Sequence, residues 1–181
     1  MPIPDFSPGE VLTSTVMDSV ALWKVAGSSF SATSAFDVTG ISSDFQRYRL
    51  VLNTRRVDTV GMGTFTGQVY NGSTPISTGY YGGASFGNYL GSSGIYYATN
   101  NGSAFLMGNS DSAAGQSLWT YDFYLESTKG VTFTGTGFSA GTAAAVQLGG
   151  VNNTSSAYTK FRIAFDYGTH TGRWALYAYR N

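Results

Sequence analysis

Apolar and polar residues alternate along three segments of the chain, residues 45–53, 117–127 and 158–167. This period of two predicts β-strands that bury one face and leave the other in water, which is typical of antiparallel sheets. The third segment places Tyr167 on the same apolar face as Phe165. We therefore predict a core that contains Trp23, Tyr48, Leu50, Leu52, Trp119, Tyr121, Phe123, Phe161, Ile163, Phe165 and Trp174.

Glycine-containing turns separate these segments. Asn71-Gly72, Asn101-Gly102 and Thr171-Gly172 are predicted turns, and residues 96–108 are predicted to form a β-hairpin. Residues 70–94 are less regular and indicate either a long loop or a pair of edge strands. Roughly nine or ten short strands with such turns predict an all-β fold, an antiparallel β-sandwich of jelly-roll type.

The first nineteen residues differ from the rest and are predicted to form a separate arm. Pro2, Pro4 and Pro8 disfavour regular structure. Leu12 and Val16 then share a helical spacing that would allow about two helical turns. We predict an arm over residues 1–19 and one β-sandwich domain over residues 20–181.

The composition favours a protein that packs against copies of itself or against other proteins. Of 181 residues, 42% are hydrophobic, enough for a substantial core, but only 11% are charged. Soluble domains typically have about 25% charged residues. Serine, threonine, asparagine and glycine therefore supply most of the surface, and the formal net charge is zero.

Several classes of partner and location are not expected from this sequence. The longest basic run is Arg55-Arg56, which does not predict nucleic-acid binding. There are no cysteines, so neither disulfides nor thiolate metal sites are expected. The N-terminus lacks a secretory signal, and no apolar run approaches the roughly 20 residues of a membrane span. We expect synthesis in a bacterial or other cell cytoplasm without export, and no membrane insertion.

His170 is the single histidine, and it allows two interpretations. Paired with Asp166 and a serine it would form a catalytic triad. Alternatively, it is a polar turn residue that precedes the last strand. The absence of a G-x-S-x-G nucleophile motif favours the turn.

The other candidate chemical groups also favour structural roles. Asp122 and Glu126 lie on one predicted outward strand face, which fits solvated carboxylates better than a glycosidase pair. Residues 109–111 contain only a fragment of a calcium loop. The glycine-rich segments 61–67 and 135–141 lack phosphate-loop spacing and a following helix. We therefore predict no catalytic, cofactor-binding or metal-binding residues and no cofactor.

A group of tyrosines is the one candidate binding feature. Aromatic rings among glycine, serine and asparagine suit sugar stacking and protein contacts. Alternatively, the rings fill the core or a subunit interface, which we favour because interfaces are also rich in aromatic residues. The members of the group are Tyr80, Tyr81, Tyr89, Tyr96 and Tyr97.

Residues 6–18, FSPGEVLTSTVMD, resemble the segment F-x-x-G-x-V-L-T-A-x-x-(L/M)-N near the N-terminus of many tailed-phage structural and tail-fibre proteins. Ser14 and Asp18 depart from that pattern. Residues 28–53, 78–89 and 175–181 resemble the strand and tyrosine-rich loop patterns of the same class of virion proteins. The matching arm residues are Phe6, Gly9, Val11, Leu12, Thr13 and Met17.

This resemblance implies a protein of the phage particle surface, made in the host bacterial cytoplasm. It implies a jelly-roll-like β-sandwich that is often trimeric. The partners implied are other copies of the chain and virion proteins such as the major capsid protein or the tail baseplate. The arm would be the attachment device, with contacts expected from Phe6, Pro8, Val11, Leu12, Val16 and Met17.

Three functions follow from these observations. The first is a decoration or cement protein that stabilises the phage head as a trimer. The second is a tail fibre or receptor-binding protein that contacts host surface glycans, although the chain has no heptads or repeats to build a shaft. The third is a polysaccharide-degrading enzyme, which the single histidine, His170, and the lack of an acid pair disfavour.

Overall fold

A computed structural model describes residues 22–58, 63–88, 93–110, 115–126, 130–139 and 144–179. Within these ranges the regular structure is entirely β, which confirms the predicted all-β class. Residues 1–19, with the six predicted contact residues of the arm, lie outside the described residues.

The described residues form thirteen strands. In chain order they are β1 (Leu22–Thr33), β2 (Ala35–Val38), β3 (Arg47–Arg56), β4 (Gly63–Asn71), β5 (Thr74–Pro75), β6 (Tyr80–Asn88), β7 (Ser93–Gly102), β8 (Phe105–Ser110), β9 (Gln116–Glu126), β10 (Gly130–Ser139), β11 (Ala144–Asn152), β12 (Lys160–Phe165) and β13 (His170–Tyr179).

The strands divide into a large and a small antiparallel sheet. The large sheet has eight strands in the order β1-β13-β3-β9-β10-β11-β6-β7. The small sheet has the order β2-β12-β4-β5, with β8 paired to β4. The antiparallel sandwich is as predicted. Its jelly-roll topology is not confirmed, because the strands divide unequally and β9, β10 and β11 form a simple meander.

Aromatic side chains fill the space between the two sheets. The ring of Phe65 on the small sheet meets Trp119 on the large sheet edge to face, with ring centres 5.1 Å apart. Phe161 and Phe123 make a second contact at 5.0 Å. Such aromatic pairs add to the free energy gained from burial alone.

The predicted core is confirmed at ten of its eleven positions, where the side chains are buried. Trp23 is only half-buried, because its strand β1 lies at an edge of the large sheet. The prediction for Tyr167 is wrong: this side chain is 55% exposed. The reason is that β12 ends at Phe165, and the alternation does not continue into the bend that follows.

The turn predictions have mixed outcomes. Gly72 has a φ of +59° and connects β4 to β5, as the Asn71-Gly72 signal predicts. The predicted hairpin over residues 96–108 is wrong, because β7 pairs with β6 in the large sheet whereas β8 pairs with β4 in the small sheet. Thr171-Gly172 lies inside β13, and the turn occurs earlier, around Gly168 with a φ of +70°.

Two pairs of glycines face each other where β6 meets β11. Gly82 is in register with Gly150, and Gly83 with Gly149. A Cβ atom on Gly82 would lie 2.5 Å from the carbonyl oxygen of Gly149. The backbones of the two strands therefore approach closely here, and a Cβ atom on Gly150 would lie 2.8 Å from the ring of Phe133.

A buried polar cluster joins the end of β3 to the start of β13. The Arg56 guanidinium is 1% exposed and donates from Nε to Asp58 Oδ1 at 2.7 Å. Asp58 Oδ2 accepts the backbone N–H of Thr169 at 2.7 Å. The ring of His170 stacks on Phe165 with centres 3.8 Å apart, and its Nδ1 lies 3.3 Å from the hydroxyl of Thr54. Burial, together with the charge of Arg56, lowers the pKa of His170 to about 4.

The pKa of His170 predicts a loss of stability in acid. In the unfolded chain the His170 imidazole has a pKa of 6.5 and takes up a proton below that pH. In the folded chain the same imidazole stays neutral until about pH 4. The free energy of unfolding therefore has its full value above pH 6.5 and decreases by about 2–3 kcal/mol as the pH is lowered to 4. Urea unfolding across this range, compared with His170→Gln, measures the effect. Equal pH dependence in both proteins would contradict it.

The core packing predicts a large cost for removing Phe165. Its ring is 6% exposed and contacts Phe65 and His170, so Phe165→Ala should lower the free energy of unfolding by about 3–5 kcal/mol. Tyr167→Ala, at a side chain that is 55% exposed, is the control and should change it by less than about 0.5 kcal/mol. A loss below about 1 kcal/mol for Phe165→Ala would contradict the assigned strand faces.

Candidate functional site

The candidate site is the face of the large sheet that points away from the small sheet, here called the outer face. Strand alternation sends one set of side chains into the core and the other set to this face. The core set includes Leu50, Tyr121 and Phe133, which are at most 4% exposed. Their sequence neighbours on the outer face are polar or partly exposed, and the described residues that form the small sheet pack only on the opposite side.

The antiparallel register arranges the outer face into rows that cross the strands. One row runs through Tyr179, Arg47, Tyr124, Thr132, Val151 and Tyr81. The next contains Lys24, Tyr177, Arg49, Asp122, Thr134 and Gly149. The third contains Ala175, Val51, Thr120, Thr136, Gln147 and Ser85.

An ion pair stands near the centre of the outer face. Arg49 donates from Nε and Nη2 to the two carboxylate oxygens of Asp122, each at 2.9 Å. The Tyr179 hydroxyl donates to Asp122 Oδ1 at 3.1 Å. The guanidinium carbon of Arg47 lies 4.8 Å from the centre of the Tyr179 ring. These contacts hold four side chains from three adjacent strands in defined positions.

The same contacts keep Asp122 ionised. Partial burial acts to raise the pKa of Asp122, but the hydrogen bonds and charge of Arg49 outweigh it and hold the pKa below its usual value. A general acid needs the opposite shift, towards a raised pKa. Asp122 therefore fits a fixed acceptor better than a proton donor.

Two shallow depressions lie side by side on the outer face. One, of about 500 Å³, lies over β3, β9, β10 and β11, and its lining includes Arg49, Thr120, Asp122, Thr136 and Gln147. The other, of about 540 Å³, lies over β1, β13, β3 and β9, and its lining includes Lys24, Asn53, Leu118, Arg173 and Tyr177. In both linings, hydroxyl, amide and guanidinium groups alternate with apolar side chains such as Val51, Ala175 and Leu148, so the face offers polar contacts beside apolar surface.

The charges of the described residues are unevenly distributed between this face and the rest of the domain. Five basic residues lie on the outer face against two acidic ones, Asp122 and Glu126. The remaining described residues carry three basic and four acidic side chains. The five basic residues of the face are Lys24, Arg47, Arg49, Arg55 and Arg173.

The structure separates the five tyrosines proposed as a contact group. Tyr80 belongs to the core, as the favoured alternative of core or interface allows, and is therefore not a ligand contact: it is 0% exposed, donates to Ile76 O at 2.9 Å, and burial raises the pKa of its hydroxyl. Tyr81 is half-buried on the outer face. Tyr89 lies outside the described residues. Tyr96 and Tyr97 belong to the edge strand β7, and only the backbone of these two residues is described.

The structure brings no catalytic group together around His170. The ring is 2% exposed in the core, and its neighbours are Thr54, Phe165 and Arg56 with its partner Asp58. Asp166 is exposed instead and accepts a hydrogen bond from the hydroxyl of Thr64. His170 is thus neither a turn residue nor accessible to a substrate.

The described residues contain no group of three or more histidine, aspartate or glutamate side chains placed to hold a metal ion. A membrane-spanning helix is likewise not found in the described parts of the chain.

Comparisons with known proteins leave the family open. No known protein family and no curated protein sequence matches the chain. Among solved structures, alginate lyase Aly36B is 13% identical over 90% of this chain and 79% of that chain, with a TM-score of 0.30. The CBM2 module of the evolved Dit protein of Lactobacillus casei BL23 phage J-1 is 7% identical over 81% and 69%, with a TM-score of 0.25. Likenesses this weak do not establish a shared activity.

The exposure of the central ion pair predicts that it contributes little to folding. Arg49 and Asp122 are 39% and 37% exposed, so Asp122→Asn should change the free energy of unfolding by less than about 1 kcal/mol. Asp37→Asn is the comparison, because Asp37 is 29% exposed and contacts both Lys160 and Arg162. We expect the larger loss for Asp37→Asn in chemical denaturation. A larger loss for Asp122→Asn would mean that the outer-face pair is structural.

Proposed function

We propose that this chain is a non-enzymatic bacteriophage virion structural protein that contacts other molecules through the outer face of its large sheet. The observation that supports this proposal most directly is the outer face itself. It presents ordered polar side chains and two depressions, and no described element packs against it. The resemblance of residues 6–18 to phage virion proteins supplies the biological setting.

Within the particle, we propose a decoration role on the head, with residues 1–19 as the attachment segment. The described β-sandwich fits a protein that covers a capsid surface in many copies, where weak contacts add through avidity. Trimer formation is part of this proposal. Leu118 and Phe138 support it, because they are cross-strand partners that are 54% and 49% exposed at one end of the outer face.

A receptor-binding role on the tail is the second candidate. The two depressions and the excess of basic residues on the outer face favour this role, because they provide places for a ligand from the host surface. A cement protein needs only contacts with other proteins. The number of copies per particle separates the two roles. Quantitative mass spectrometry of purified particles should give a ratio to the major capsid protein near one-to-one or one-to-two for a decoration protein. A ratio of a few per cent would contradict the head assignment and favour the tail.

The non-enzymatic part of the proposal is supported by the burial of His170 and the ionised state of Asp122. Turnover of host polysaccharide by the purified chain would contradict it, provided that the turnover is lost in Asp122→Asn or His170→Gln.

The proposed attachment segment predicts the outcome of a truncation. Deletion of residues 1–19 should leave a folded β-sandwich that no longer joins particles, because the core described here begins at β1. Circular dichroism of the truncated chain checks the fold, and incorporation during infection, measured against the full chain, checks the attachment. Normal incorporation of the truncated chain would contradict an attachment role for these residues.

A further inference from the structure

We propose that the outer face binds an acidic polysaccharide along its two depressions. This inference rests on the proposed function only in that the face is presented on the particle surface. It names the ligand class of that face.

The sign of the charge is the first argument. Five basic residues stand against two acidic ones on this face, and Arg49 already neutralises Asp122. Lys24, Arg47 and Arg173 are exposed and lie on three different strands of the same face. Elsewhere the described charges are nearly balanced, so the positive potential belongs to this face and would attract an anionic ligand.

The uncharged groups between the cations are the second argument. Thr120, Thr136 and Gln147 line one depression, where hydroxyl and amide groups can exchange hydrogen bonds with sugar hydroxyls. Tyr124 is 40% exposed on the same face, and Tyr177 lines the other depression. Aromatic rings beside fixed polar groups suit sugar rings, which have an apolar face and a polar rim.

The shape of the face is the third argument. Together the depressions cross the sheet from β1 to β11, a path over six adjacent strands. With about 4.8 Å between strands, the path is about 24 Å long. It therefore suits an extended chain rather than a single sugar. The Arg49–Asp122–Tyr179 contacts also hold side chains in defined positions near its centre, which lowers the cost of ordering them on binding.

The same observations disfavour a protein ligand over the depressions. A stable protein interface needs an apolar centre with a polar rim. Here the Arg49–Asp122 ion pair occupies the middle of the face, while the large exposed apolar side chains of Leu118 and Phe138 lie at one end. Leu118 also lines the depression over β1, β13, β3 and β9, so a protein contact at that end and a polysaccharide in that depression would share this side chain.

The test measures binding of the full chain to polygalacturonate, a polyuronate, by isothermal titration calorimetry. Neutral dextran and double-stranded DNA are the reference ligands. We expect binding to polygalacturonate that weakens as salt is raised from 50 to about 500 mM, because exposed charges are screened. We expect no binding to dextran and weaker binding to DNA.

Matched arginine variants locate the site. Arg47→Gln combined with Arg173→Gln removes two exposed cations of the outer face and should weaken binding by about tenfold or more. Arg162→Gln is the control, because this arginine lies on the small sheet and pairs with Asp37. The affinity of this variant for polygalacturonate should stay within about twofold of that of the unchanged chain. Thr136→Val, at a residue that lines one depression, adds a variant that leaves the charge unchanged and should also weaken binding.

Three results would overturn the inference: no binding to polygalacturonate, equal binding to dextran or DNA, or equal losses in the outer-face and Arg162 variants. Thermal unfolding of each variant shows that a loss of binding is not a loss of fold. These measurements use the isolated chain, whereas the copy number is measured on particles, so this inference and the proposed function can fail independently.

Discussion

The packing of Trp119 between the two sheets fixes the spacing on which the rest of the domain depends. Its ring is 0% exposed, meets Phe65 edge to face and lies in a slot bounded by two glycines. A Cβ atom on Gly137 would lie 2.0 Å from the ring, and one on Gly108 would lie 2.8 Å from it. The sequence must therefore combine the largest side chain with the smallest at this point. With the sheets held at this distance, the smaller rings around Trp119 pack without large voids.

This inward packing also determines the outer face. Because successive side chains on a strand point to opposite sides, each buried ring on β3, β9 and β10 fixes the direction of its neighbours. Arg49 lies between Tyr48 and Leu50, and Asp122 lies between Tyr121 and Phe123. The residues that bring about the fold thus place a polar, basic surface on the side where no described element covers it.

The strands were predictable from the sequence because alternation is local, whereas pairing is not. The Asn101-Gly102 pair indicates that the chain turns, but the same pair occurs in a hairpin and in a connection between two sheets. Here the chain passes from β7 in the large sheet to β8 in the small sheet. The central ion pair joins residues 73 positions apart, so it appears only once the register is known. Tyrosine composition suggested a contact group, yet alternation separates Tyr80 in the core from Tyr81 on the outer face.

The glycine pairs between β6 and β11 have a consequence for the mechanics of the large sheet. Side chains that interlock across strands resist changes in sheet twist, and Gly82, Gly83, Gly149 and Gly150 provide none. Only backbone hydrogen bonds join the strands there, and such a ladder tolerates a range of twist angles. Core rings interlock on β9 and β10, so we expect changes in twist to fall at the junction of β6 and β11 rather than among those strands. A curved neighbouring surface beside β6 and β7 would then be met by a change of twist at this junction, while the aromatic core stays unchanged.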